Sequence, residues 1–122
     1  MHEFIIDKCE LIAESINAVE KYFQTINIPN DFRKDQNGIL YLDAIMMRLQ
    51  VIGENIKKII KLREDFFNTA VQYDVSNIVR FRDFISHHYE KTDSDIVFDI
   101  CRNDIPLLRK KIIDFLNEQI KK

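Results

Sequence analysis

The longest unbroken pattern in this sequence spans about residues 38–62, where apolar side chains recur every three or four positions. Its members are Leu42, Ile45, Leu49, Ile52, Ile56, Ile59 and Ile60. That spacing puts them on one face of an α-helix of roughly seven turns, which must be buried against other elements. A chain of 122 residues has room for only a few such helices, and its length predicts a single domain over residues 1–122.

Three further segments show the same helical period. The first covers about residues 4–23 and ends before Pro29, because a residue that precedes proline is pushed out of helical geometry. Residues 64–72 favour one or two helical turns, in which Phe66, Phe67 and Val71 would be the buried apolar residues. Another helix is predicted from after Asp74 to about His88.

The last helix is predicted from the N-cap residues at 92–95 to the C-terminus. Pro106 must kink or split it, because proline lacks the amide that would bond to Arg102. The chain has only two glycines and two prolines, and sheets need many turns. We therefore predict an all-α fold, an antiparallel bundle of four to five helices with short connections.

Gly53 lies in the middle of the long helix, where glycine costs about 1 kcal/mol relative to alanine. One explanation is the close approach of another helix, which only a residue without a side chain permits. The alternative is a tolerated glycine on the surface. The first explanation predicts two long antiparallel helices that cross near Gly53 and form the spine of the bundle.

Composition excludes several classes of function. A net charge of −2 argues against a protein that coats nucleic acid regardless of sequence, although not against an enzyme with local phosphate contacts. Two distant cysteines, Cys9 and Cys101, predict small core residues rather than a disulfide framework or a Cys-rich zinc site. No signal peptide and no membrane-spanning apolar run is evident, so we expect a cytoplasmic protein.

Arg82 falls inside the apolar face of the predicted helix 75–88 when the residues are placed at about 100° each. An arginine there is costly unless its charge is paired, because it stays protonated. Arg82 therefore either snorkels out or pairs with a buried carboxylate such as Glu54, or it lines a cleft and meets an anionic ligand.

His87 and His88 end the same helix. Such a pair serves either to complement the helix dipole or as a general acid or base. A metal site is not expected, since adjacent helical residues point apart. Arg82 and His87 lie about 140° apart on an ideal helix. Either the helix end distorts, or two copies of the helix meet in a dimer.

Residues 82–89 read as Arg, four residues, His, one residue, Tyr, which resembles the signature of HepT toxins in the HEPN superfamily. Two further segments support this resemblance: Ile52-Gly53-Glu54 is similar to part of the family's second helix, and residues 104–108 are similar to part of its last helix. The likeness therefore covers nearly the whole chain. The resemblance implies a HEPN-like dimeric bundle with a composite cleft, and RNA cleavage without a metal or cofactor.

The resemblance also implies roles for four residues. His87 would be the acid–base residue, and Arg82 would bind the scissile phosphate and stabilise its developing charge. Asp83 would be a supporting residue, although relatives often have asparagine there and an anion opposes phosphate binding. Tyr89 matches the tyrosine to which a nucleotidyltransferase antitoxin, MntA, transfers AMP, which would repel RNA; the alternative is a half-buried structural aromatic.

Two functions from different classes follow from this resemblance. The first is the toxin of a type VII-like toxin–antitoxin system, an endo- or exoribonuclease that acts as a homodimer. The second is a non-catalytic HEPN subunit that binds a nucleotide or its nucleotidyltransferase partner. The intact Arg82, His87 and Tyr89 favour the first, whereas Asp83 and the near-neutral net charge favour the second.

Overall fold

The computed structural model describes residues 1–88 and 93–121, with His88 described by its backbone alone. Within these ranges the chain consists of helices and connecting turns and has no strand. In order, the elements are α1 (His2–Phe23), a 3-10 turn (Pro29–Phe32), α2 (Gln36–Leu62), a first π segment (Phe67–Val71), α3 (Ser76–His88), α4 (Ser94–Asp99), a second π segment (Ile100–Asp104) and α5 (Ile105–Lys121). The prediction of an all-α bundle is confirmed.

The two longest helices bury the apolar faces that their sequence periods predict. The buried apolar residues are Ile5, Cys9, Ile12, Ile16 and Val19 on α1, and Ile45, Leu49, Ile52, Ile56 and Ile59 on α2. Each fully buried isoleucine or leucine contributes about 1.5–3 kcal/mol relative to its exposed state, so these two faces supply much of the core. α2 begins two residues before the predicted start, because Asp35 caps it by accepting a hydrogen bond from the Gly38 amide at 2.8 Å.

α1 and α5 run antiparallel. His2, at the start of α1, lies 3.0 Å from the side-chain oxygen of Gln119, at the end of α5. At the opposite end, Glu20 of α1 forms an ion pair with Arg109 of α5 at 2.9 Å. These contacts at both ends place α5 alongside α1, where its buried residues Ile105, Leu108, Ile112 and Phe115 join the core.

Pro106 interrupts the last helix through the second π segment rather than through a break. The Ile105 amide donates to the carbonyl of Ile100, five residues back, so the chain continues helically into α5. Pro106 then occupies the first turn of α5, where its missing amide has no helical partner to lose. The predicted interruption of the last helix at Pro106 is confirmed, as a change of helical hydrogen bonding rather than a break.

Cys9 and Cys101 are free thiols buried in the core, as their apolar neighbours predict. Burial raises the pKa of each thiol to about 12, so both stay protonated at neutral pH. In the part of the chain that the structure describes, no helix combines the length and the apolar character needed to cross a membrane.

Candidate functional site

The first turn of α3 is fixed by a cap. A side-chain oxygen of Asp74 accepts a hydrogen bond from the Ser76 amide at 2.9 Å, and this bond lowers the pKa of Asp74. The helix then buries Ile78, Phe81 and Ile85. Arg82 lies next to this face, with only 24% of its side chain exposed. Arg82 is therefore partly buried at the edge of the apolar face, close to the position that the helical period predicts.

Gly53 lies directly beneath Arg82. A Cβ atom built on Gly53 would lie 2.4 Å from Cβ and 2.6 Å from Cγ of Arg82, closer than any real contact. The close helix approach predicted at Gly53 is confirmed, and Gly53 is buried rather than a surface glycine. The two longest helices, α1 and α2, do pack on each other. The helix that requires a glycine at position 53 is nevertheless the short α3, because the Arg82 stem occupies the space that glycine leaves.

Two carboxylates hold the guanidinium of Arg82. Its Nη2 donates to Glu54 at 3.3 Å and its Nη1 donates to Asp83 at 3.1 Å. Arg82 thus pairs with Glu54 and also lines a groove, and an anionic ligand for it there stays a prediction. Glu54 is 40% exposed, however, and is not the buried carboxylate of the sequence-based alternative. Ion pairs as exposed as these are worth at most about 1 kcal/mol.

Asp83 joins Arg82 to a second cation. The same oxygen of Asp83 that accepts from Arg82 also accepts from Lys57 of α2 at 2.9 Å. The Lys57 ammonium, and after it the Arg82 guanidinium, hold the pKa of this carboxyl below its usual range. Asp83 is therefore an anion at neutral pH, positioned between two cations in the way that a phosphate oxygen would be.

One donor of Arg82 has no partner in the described ranges. Its Nε is buried and makes no hydrogen bond there. A buried donor without an acceptor costs about 1–3 kcal/mol, so such atoms are rare outside functional sites. Arg82 thus carries an unsatisfied buried donor, and its stem lies against Gly53.

His87 is exposed near the end of α3 and is not among the residues that line the groove next to Arg82. α3 stays α-helical through His88, so distortion of the helix end does not bring His87 round to Arg82. The alternative in which two copies of the helix meet in a dimer stays a prediction. Tyr89, the proposed AMP acceptor, and the side chain of His88 lie outside the described residues.

A groove of about 550 Å³ opens beside Arg82, between α2 and α3. Its lining consists of Glu54, Lys57, Lys58, Ile60, Lys61, Val79 and Arg82. The cations come from both helices, whereas the floor is apolar. The sequence analysis did not assign any of the three lysines to the site. The signal for them was their helical spacing from Glu54, which places them on the side of α2 that faces Arg82.

Residues 1–88 and 93–121 contain no group of three His, Cys, Asp or Glu side chains close enough to hold a metal ion. The charges around Arg82 instead come from two carboxylates and from lysines. Chemically, this arrangement can bind a phosphate through several cations, provided that the phosphate replaces one of the exposed carboxylates.

Comparisons with known proteins match most of the chain. A family model described as "Ribonuclease HepT-like" matches residues 12–115. A protein of Methanocaldococcus jannaschii named "Putative RNase" is 35% identical over 89 residues, which are 73% of this chain and 69% of that protein. A "Probable ribonuclease HepT" of Thermococcus cleftensis is 30% identical over 105 residues, 86% of this chain and 89% of that protein. No solved structure matches significantly.

Proposed function

Because this chain belongs to the HepT-like ribonuclease family, within the HEPN superfamily, we propose that it is the toxin ribonuclease of a toxin–antitoxin pair. In this proposal it cleaves cellular RNA in the cytoplasm as a homodimer, without a metal ion. A nucleotidyltransferase antitoxin of the MntA type neutralises it. The proposal treats residues 1–122 as one domain.

The observation that carries the proposal is the geometry of Arg82. Its stem is fixed over Gly53, and its guanidinium borders a cationic groove. Exposed carboxylates bind it weakly, and one buried donor is left without a partner among the described residues. An arginine held in this way can exchange a carboxylate for the scissile phosphate at little cost, and its planar fork suits two phosphate oxygens.

In the proposed reaction, His87 removes the proton from a ribose 2′-hydroxyl. The 2′-oxygen then forms a bond to the adjacent phosphorus, while the bond from phosphorus to the 5′-oxygen of the next nucleotide breaks. That leaving oxygen takes a proton from water and the protonated His87 returns its proton to water, so the products are a 2′,3′-cyclic phosphate and a free 5′-hydroxyl. Arg82 stabilises the negative charge that grows on the phosphate oxygens in the transition state.

A second copy of the chain completes the site in this proposal. Arg82 points toward α2, whereas His87 lies about 140° away around α3. A base within hydrogen-bond reach of the 2′-hydroxyl is therefore more readily supplied by His87 of a second copy that packs against the first. Two arginines and two histidines would then share one cleft.

Induction of the wild-type chain in host cells tests this function. We expect growth arrest together with RNA fragments, and we expect neither from Arg82→Ala made at the same level, because the phosphate loses its main cation. Arg80→Ala is the matched control. Arg80 is an exposed arginine of α3 that bonds to Asn77 of its own helix, so its loss should leave the arrest intact.

If neither the wild type nor the variants arrest growth, the toxin proposal fails and the second candidate gains. That candidate is a non-catalytic subunit that binds the nucleotidyltransferase. The observation in its favour is Asp83, whose carboxylate occupies both Arg82 and Lys57 and so competes with any phosphate. Purification of the wild type with the partner bound, but without RNA cleavage, would support it.

Control by the antitoxin is proposed to act through Tyr89. Transfer of AMP to its hydroxyl would place a bulky anion two residues from His87 and repel RNA. With the partner enzyme and labelled ATP, we expect wild type and Tyr22→Phe to incorporate AMP, and Tyr89→Phe to incorporate none. Incorporation by Tyr89→Phe at the wild-type level would reject Tyr89 as the acceptor.

A further inference from the structure

We propose that the groove between α2 and α3 binds the RNA backbone next to the scissile phosphate, with Lys58 and Lys61 as its phosphate ligands. This inference rests on the proposed function. It specifies the path of the RNA strand on the protein surface beyond Arg82. It assigns this role to the lysines of α2 and not to the basic residues Arg109, Lys110 and Lys111 of α5.

The groove follows the surface of α2 away from Arg82. Glu54, Lys57, Lys58 and Lys61 occupy positions i, i+3, i+4 and i+7, so they share one side of the helix. At a rise of about 1.5 Å per residue, this row extends about 10 Å along the axis. Arg82 lies at the Glu54 end, where it contacts both Glu54 and Gly53. A strand whose scissile phosphate meets Arg82 can therefore continue past the lysines.

Lys58 and Lys61 are available for phosphate. Both are exposed, and neither forms an ion pair with another residue in the described part of the chain. Lys57 differs, because Asp83 holds its ammonium at 2.9 Å. We therefore assign Lys57 to the group of charges around Arg82. Lys58 and Lys61 are assigned to the part of the RNA strand that flanks the scissile phosphate.

The basic cluster of α5, which consists of Arg109, Lys110 and Lys111, is less suited to RNA. Arg109 is paired with Glu20 of α1 at 2.9 Å, and Lys110 is paired with Asp114 at 2.8 Å. These pairs neutralise most of the local charge. They also belong to the side of the bundle where α5 packs on α1, whereas Arg82 lies between α2 and α3.

The floor of the groove explains why we assign a nucleotide rather than a free anion. Ile60 and Val79 contribute apolar surface between the cations, and the lysine stems add methylene groups. An RNA strand matches this pattern, because its phosphates meet the cations at the rim and its sugar or base covers the apolar floor. A volume of about 550 Å³ lies within the range of pockets that hold ligands of nucleotide size.

The test compares two charge-matched double variants in a His87→Ala background, in which we expect RNA to bind and its cleavage to be slow. One is Lys58→Gln with Lys61→Gln, and the control is Lys110→Gln with Lys121→Gln, both of them exposed lysines of α5. Binding of a labelled single-stranded RNA is measured by fluorescence anisotropy at several salt concentrations. For the first variant we expect at least tenfold weaker binding, and a salt slope smaller by about 1.4, since each single-strand phosphate contact contributes about 0.7. We expect the control to bind like its parent.

Equal binding by the two double variants would overturn the groove assignment while leaving the proposed function standing, provided that the wild type cleaves RNA in the same preparation. If the parent binds no RNA and the wild type cleaves none, the proposed function fails and the groove assignment fails with it. A switch from dimer to monomer in the first variant, seen by sedimentation, would identify the groove as a subunit interface and would also overturn the assignment.

Discussion

Gly53→Ala is expected to destabilise the protein by about 1–3 kcal/mol, although alanine at an ordinary helical position would stabilise it by about 1 kcal/mol. The new methyl group would lie 2.4 Å from Cβ of Arg82. That atom is attached directly to the α3 backbone, so a change of rotamer cannot relieve the overlap and the two helices must separate. Separation moves the guanidinium away from Glu54 and from the groove, and cleavage should fall about as far as in Arg82→Ala.

Urea unfolding followed by circular dichroism measures this loss. The sharpest control is a double-mutant cycle with Arg82→Gly, which removes both atoms that the new methyl group would strike. In that background, Gly53→Ala should be neutral or stabilising. An equal loss of stability in both backgrounds would show that the close approach to Arg82 is not what requires glycine.

His87→Ala is expected to lower the rate of RNA cleavage by about 10²–10⁴-fold, the usual contribution of a general acid or base. The fold should be unaffected, since His87 is exposed near the end of α3 and alanine has a high helix propensity. The measurement is cleavage of a defined RNA by purified protein, with thermal unfolding recorded for the same samples.

His2→Ala is the matched control for this variant. His2 is also an exposed histidine at a helix end, and its partner Gln119 lies on α5. We expect it to cleave RNA at the wild-type rate. Cleavage by His87→Ala within a few-fold of the wild type would remove His87 from the acid–base role, even if Arg82 proved essential.

The helices could be predicted because each carries its own apolar period. Ile45, Leu49 and Ile52 are buried on α2 as their spacing requires, and Pro106 marks the start of α5 through the amide it lacks. The predicted start of α2 at Gly38 is too late by two residues, because the helix is capped by Asp35 and begins at Gln36.

The site was less predictable, because its contacts join residues far apart in the sequence. The helical period of residues 75–88 places Arg82 in the apolar face. The ion pair between Lys57 and Asp83, by contrast, depends on how α2 and α3 are aligned. The helix that packs on Gly53 is the short α3 rather than a long helix, and this also depends on the alignment of the helices. The assignments of His87 and Tyr89 rest on the family motif and stay predictions.

The sequence alone determined the fold class, the approximate helices and the presence of a charged residue on a buried face. These properties follow from periodicity and from the backbone limits of glycine and proline, which act over a few residues. Only the tertiary structure decided that α3 lies against Gly53, that Asp83 joins two cations, and that Lys58 and Lys61 share a groove with Arg82. The reason is that the side chains of two helices come within a few ångströms of each other only through a packing register, which neither helix specifies by itself.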